Sequence, residues 1–173
     1  MTNGFIVNRV VYYGDVSAIM TNDVRGHDLV FVLMGSFRRI IDDLHAELAT
    51  RGFPEARPAH GFALQAIGPH AVTITDLGRR LGISKQAAAK TVKGLAALGY
   101  VTRERDPADA RANRVRRSDR GEELLHESAA ILERQKQEWI ALLGEERFTA
   151  LISDLYRLGG GAPVGDMASW LQE

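Results

Sequence analysis

The stretch from Lys85 to Lys93 holds the residues of this chain best suited to meeting another molecule. At helical spacing Lys85, Gln86, Ala87, Ala89, Lys90 and Lys93 are left on one side, and Ala88, Thr91 or Val92, Leu95 and Leu98 fall on the other. Small residues between long polar ones let a helix approach a surface closely while the amide and ammonium groups reach past them. In a DNA major groove Gln can pair bidentately with adenine, and Lys can contact guanine or phosphate. The same pattern also fits a solvated helix with an alanine-rich back, so the flanking residues have to decide. Downstream, Arg111 stands on the small-residue loop Asp106-Pro-Ala-Asp-Ala-Arg-Ala-Asn, from which a guanidinium could extend into a narrow, electronegative minor groove. Asp109 could orient that side chain, or the two could staple the turn to each other. Both readings can hold together.

Other chemistry finds little support. Without a single cysteine there are no disulfides, thiolate ligands, iron–sulfur clusters or cysteine nucleophiles. The five histidines (His27, His45, His60, His70 and His126) form no i, i+4 pair and have no acid at metal-site spacing, so no metal is expected. Asp43 and Glu47, one turn apart, read as a solvated helix face. Gly159-Gly-Gly is followed by no Gly-Lys-Ser/Thr and is not a phosphate loop, and no Gly-x-Ser-x-Gly appears. No enzyme activity and no cofactor are expected.

The chain has 173 residues, with 22 basic and 22 acidic side chains. That neutrality hides an asymmetry. Twelve basic and four acidic residues lie between Arg79 and Arg120, a surplus of eight positive charges that the remainder balances with eight negative ones. A strongly basic third in a neutral protein is expected to face a polyanion. No apolar run approaches the ~18 residues of a membrane span. Asn8 and Arg9 interrupt the only apolar stretch near the start, so the expected location is the cytoplasm.

The elements that must position these residues are mostly helical. Residues 1–26 show no helical period and read as an N-terminal arm or extension. From His27 to about Arg51, Leu29, Leu33, Phe37, Ile40, Ile41, Leu44 and Leu48 recur at spacings of three and four. Val30, Phe31, Val32 and Met34 make the first half of that helix apolar almost all round, which in a small chain suggests a second copy as partner. Pro58 opens a short helix. Thr73 and Ser84 read as N-caps of two short helices joined through Gly82, the spacing of a helix-turn-helix, and Gly99 ends the second. Tyr100 to Arg105 and Arg114 to Arg117 alternate as the two strands of a hairpin, which directly after such a helix is a wing. Ser118 caps a long helix to about Leu143, a last one runs from Glu145 to about Leu158, and 159–173 forms a tail that could dock through Trp170 and Leu171. The expected fold is mainly α: a winged helix-turn-helix lobe over 58–117, with 27–57 and 118–158 forming a helical dimerisation region.

This order of elements resembles the MarR family of winged helix-turn-helix transcription regulators. The resemblance is carried by Thr73-x-x-Asp76-Leu77, Leu81-Gly-Ile-Ser84, Val92-x-x-Leu95, Leu98-Gly-Tyr-Val-Thr-Arg103, Asp106-Pro-x-Asp109-x-Arg111 and Ser118-x-x-Gly121. It implies a homodimer that places two helices in successive major grooves and two wings in flanking minor grooves of a near-palindromic double-stranded operator. By position, Gln86, Ala87, Ala89 and Lys90 would face base edges. Lys85, Lys93, Arg103 and Arg114 would serve phosphates, and Arg111 would enter the minor groove. Most members are repressors that leave DNA when a small, often aromatic or anionic, effector binds. Two positions depart from the pattern: Arg117-Ser118 stands for the usual Leu-Thr, and Leu77-Gly78 for Leu-Ala. A winged-helix protein–protein module and a nonspecific architectural DNA binder remain as alternatives.

Overall fold

A computed structural model describes residues 26–105 and 113–159. The expectations for the arm, the tail and the wing tip with Asp109 and Arg111 lie outside the described residues. The helices are α1 (Gly26–Thr50), α2 (Pro58–Ile67), α3 (Ile74–Leu81), α4 (Lys85–Ala97), α5 (Asp119–Leu143) and α6 (Glu145–Gly159). The strands are β1 (Val72–Thr73), β2 (Val101–Arg105) and β3 (Asn113–Arg117). The chain falls into two compact units, 1–42 and 43–173. In the first, the described part of α1 exposes Leu29, Val30, Phe31, Val32, Leu33 and Met34, each between 42% and 62%. Its polar side carries the i, i+4 pair of Arg38 with Asp42.

The helix boundaries follow local chemistry. Thr73 Oγ1 accepts from Asp76 N at 3.0 Å and donates to the Asp76 carboxylate at 2.7 Å. Asp76 therefore serves the cap through the hydroxyl rather than by reaching back to a backbone N–H. Ser84 Oγ accepts from Ala87 N, and Ser118 Oγ from Gly121 N, both at 3.1 Å. Gly82 closes α3 at φ 67°, a left-handed turn that lets α4 start three residues later. Pro58 occupies the first turn of α2, where the Arg57 N–H donates to His60 Nδ1. Burial, followed by the nearby Arg57 and His45, lowers the His60 pKa.

The sheet has three strands in the order β1-β3-β2, all antiparallel. Only the β2-β3 hairpin was legible as a wing. The two-residue β1 joins because Val72 and Thr73 pair with Val115 and Arg114, and two residues carry no readable alternation. The core of this unit gathers Leu44, Leu48, Phe53, Leu64, Ile67, Leu77, Leu81, Ala88, Val92, Leu95, Tyr100, Val115, Leu124 and Ile131. On α4 the choice between Thr91 and Val92 resolves to Val92. Thr91 is half-buried and donates its hydroxyl to Ala87 O.

Two junctions lock the unit. Gly121, in the first turn of α5, lies so close to the end of the α4–β2 connection that a Cβ would stand 2.1 Å from the Tyr100 carbonyl oxygen. The C-terminal turns of α1 are tied to α5 by a charge network in which Glu47 pairs with Arg134 and Arg51, and Arg51 with Glu127. Hydrogen bonding from Arg134 is the main cause that holds the Glu47 carboxyl at about 2 against an ordinary 4.5.

Gly121→Ala is expected to destabilise by about 3 kcal/mol, the upper end of overpacking losses, because the obstructing atom is backbone. Gly61→Ala, in α2 with open space around it, should instead stabilise by up to ~1 kcal/mol. Chemical denaturation at one fixed protein concentration checks both. The Glu47 pKa is lower when folded than when unfolded, so its stabilisation is fully present above pH of about 4.5 and is lost as pH falls toward 2. Urea midpoints measured against pH should drop across that window, and Glu47→Gln should flatten the drop while lowering the midpoint at neutral pH.

Candidate nucleic-acid interface

Helix α4 is set by its packing on α3. Gly78 faces it so closely that a Cβ would meet Ile83 O at 3.0 Å and the Ala88 Cβ at 3.5 Å. The glycine that departs from the family's usual alanine therefore has a packing reason: it lets the two helices and their turn close up. With Ala88, Val92 and Leu95 buried, the opposite side of α4 is fixed. Lys85, Gln86, Lys90 and Lys93 are exposed there, with Ala87 and Ala89 half-buried between them. The structure thus brings all six sequence-predicted residues of this helix onto one available face. Gly94 is exposed on it too, one turn after Lys90, with open space around it. Its i, i+4 spacing could have found it.

The hairpin follows within three residues of α4. Its register opposes Arg103 to Val115 and Glu104 to Arg114. Because side chains alternate along a strand, Arg103 and Arg105 share one face, and Arg114 and Arg116 share the other. Arg103 and Arg105 are exposed, and Arg105 belongs with Arg103 as a cation that the sequence reading passed over. Arg114 is half-buried and donates a guanidinium N–H to Ala71 O, so it has a structural partner beside the phosphate role that the resemblance implies. Arg116 pairs with Glu104 at 3.6 Å.

Among the described residues, the ion pairs in this part of the chain involve Arg79 with Asp76, Arg116 with Glu104 and Arg117 with Glu122. None of them uses a lysine of α4. What the arrangement offers is a helix with small residues flanked by exposed cations and one amide, next to a two-stranded ribbon with two further exposed cations. That is a shape and charge for a polyanion with a groove. Among the described residues no three His, Cys, Asp or Glu side chains gather as a metal site, and no helix is long and apolar enough to cross a membrane.

Comparison with known proteins agrees with this geometry. The MarR family model matches residues 57–112, which hold α2, α3, α4 and the first strand of the wing. An uncharacterised HTH-type transcriptional regulator of Bacillus subtilis, YdgJ, is 32% identical over 87 residues, covering 50% of this chain and 53% of its own length. The match thus spans about half of that curated relative. Among solved structures, transcriptional regulator Tm0710 from Thermotoga maritima superposes with a TM-score of 0.56 at 27% identity, covering 78% of this chain and 93% of that one. The Staphylococcus aureus regulator MepR, in its complex with DNA, gives a TM-score of 0.59 at 15% identity, covering 75% and 94%. The fold is the winged helix of those structures, and residues 57–112 match the MarR family.

Proposed function

We propose that this protein is a sequence-specific double-stranded DNA-binding transcriptional regulator, acting in the cytoplasm as a homodimer on a near-palindromic operator, and not an enzyme. The observation that carries the reading is the exposed face of α4, where Gln86, Ala87, Ala89 and Lys90 form a close-approach surface between Lys85 and Lys93. The base-reading role goes to Gln86, Ala87, Ala89 and Lys90. The phosphate role goes to Lys85, Lys93 and Arg103, with Arg114 in that role only as far as its bond to Ala71 allows. Arg111, oriented by Asp109, is the minor-groove residue of the proposal. MepR, similar in fold, has been seen bound to DNA, which supports the same use of the fold here.

The homodimer is supported by two stretches of apolar surface, each considered separately. One is Leu29 to Met34 on α1, and the other is Leu151, Leu155, Tyr156 and Leu158 on α6. A stretch of that size on a lone chain is typical of an interface. The dimerisation region of the proposal is 27–57 with 118–158. As for most of the family, the regulator is a repressor released by a small aromatic or anionic effector.

A fluorescence-anisotropy titration against the DNA upstream of the protein's own gene, with shuffled competitor at about 0.15 M salt, tests the reading, because nonspecific affinity there is only ~10⁻⁴–10⁻⁶ M. Nanomolar binding that the competitor cannot displace supports a specific regulator. Equal affinity for both DNAs turns it toward an architectural binder, and no binding to any DNA toward a protein–protein module. Gln86→Ala should relax base preference at one position per half-site by ~1–3 kcal/mol. An equal loss on every sequence would make Gln86 a backbone contact. Lys93→Ala should lower the slope of log affinity against log salt by about one for each phosphate the ammonium neutralises, with base preference unchanged.

A further inference from the structure

Helix α2 ends at Ile67, and the carbonyls of its last four residues lack a further helical turn to bond; of these, Leu64 O accepts from the Gly68 N–H at 3.3 Å. Two guanidinium groups reach all four. Arg117, the last residue of β3, donates from Nε to Leu64 O at 2.7 Å and from Nη2 to Gln65 O at 3.4 Å. Arg80, in the last turn of α3, donates from Nη1 to Ala66 O at 2.8 Å and to Ile67 O at 3.1 Å. Arg117 also pairs with Glu122 of α5 at 3.2 Å, and its side chain is only 13% exposed. Positive charge at a helix C-terminus is favourable in itself, and the planar fork of arginine can serve adjacent carbonyls where a single ammonium cannot.

The two arginines come from the two parts of the lobe that the proposed function needs in register. Arg80 belongs to the helix on which α4 is packed, and Arg117 to the strand that ends the wing. Their shared anchor is the end of α2, and Leu64 next to it also touches the Gly121 position, with its Cδ2 at 3.3 Å from where a Cβ would be. The leucine usual in the family at position 117 has no donor and could not make this cap.

We propose that Arg80 and Arg117 are positioning residues, which set the angle between the wing and α4 by jointly capping α2, and that their guanidinium groups serve these carbonyls instead of phosphates. The proposal deepens the DNA-binding reading and rests on it for its consequence, while the geometry can be tested without DNA. Since the chain has no cysteine, Lys85→Cys with Arg105→Cys gives one spin label on α4 and one on the wing. Labelled chains diluted in excess unlabelled protein report the distance within one protomer by pulsed electron resonance. Arg117→Leu should shift or broaden that distance distribution, Arg117→Lys should fall between it and the wild type, and Arg80→Ala should do the same from the other side.

On unlabelled protein, with a duplex that the wild type has selected from a random library, Arg117→Leu should weaken binding about three- to thirtyfold with no change in salt slope. An unchanged distance distribution in both the Arg117→Leu and Arg80→Ala proteins overturns the proposal, even if both melt earlier. A salt slope reduced by about one per arginine also overturns it, by making these side chains phosphate ligands. Should Arg117→Leu fail to fold, Arg80→Ala carries both measurements, since Arg80 lies at the surface. If the library yields no preferred duplex, the regulator reading fails, and the label distances still decide the positioning role.

Discussion

The contact on which most of this lobe depends is the seat of the α5 N-terminus on the Gly99-Tyr100 backbone. Ser118 N donates to Tyr100 O at 3.1 Å, and the Ser118 hydroxyl donates to Gly99 O. Gly121 N in turn donates to Ser118 Oγ. One serine thus caps α5 and ties it to the turn where α4 becomes β2. Gly121 makes the approach sterically possible, because any side chain there would occupy the space of the Tyr100 carbonyl. The end of α4, the base of the wing and the start of the long helix therefore meet within a few ångströms. A shift of α5 cannot leave the other two elements where they are.

Around that seat the structure uses aromatic and cationic packing where an aliphatic core would have sufficed. Tyr100 is fully buried, with the rings of Phe53 and His60 at 6.3 and 6.0 Å. Arg120 lies over both Phe53 and Tyr100 at 5.1 and 5.7 Å from their centroids, and donates to Gly52 O at 3.0 Å. Burial pushes the Tyr100 phenol up from its ordinary pKa. Arg120 thereby connects the loop after α1 to the first turn of α5. Farther along α5, Glu127 pairs with Arg51 of the same connection and Arg134 with Glu47. These contacts fasten α5 from its first turn as far as Arg134, and any movement of the long helix would have to be passed to the reading elements through that stretch.

Much of this was legible in the sequence because the governing interactions are local. Thr73, Ser84 and Ser118 are caps whose signal is a hydroxyl three residues before the N–H it accepts from. Gly82 and Gly99 sit where a left-handed backbone ends a helix. The face of α4 follows from the period of Ala88, Val92 and Leu95. What could not be read depends on distant partners. Nothing near Val72 announces a strand, since its pairing with Val115 lies more than forty residues away. Gly78 and Gly121 look like ordinary helix weaknesses until the backbone atoms facing them are known. Arg117 reads as one more positive charge at the base of the wing, and its bond to Leu64 O spans fifty-three positions.

The surplus of eight charges between Arg79 and Arg120 treats every cation as available, but the structure divides them by residue type and task. Arg80, Arg114, Arg117 and Arg120 all donate to backbone carbonyls, at Ala66, Ala71, Leu64 and Gly52. Lys85, Lys90 and Lys93 are all exposed on α4. The division has a physical basis. A guanidinium is weakly hydrated and offers several donors in a fixed plane, so it can be partly buried against carbonyls without losing its charge. An ammonium is strongly hydrated and stays at the surface on a flexible stem, where it can follow a phosphate whose position is not fixed in advance. A count of charges along the chain therefore overstates the footprint offered to a polyanion, and counting lysines with exposed wing arginines such as Arg103 and Arg105 comes nearer to it.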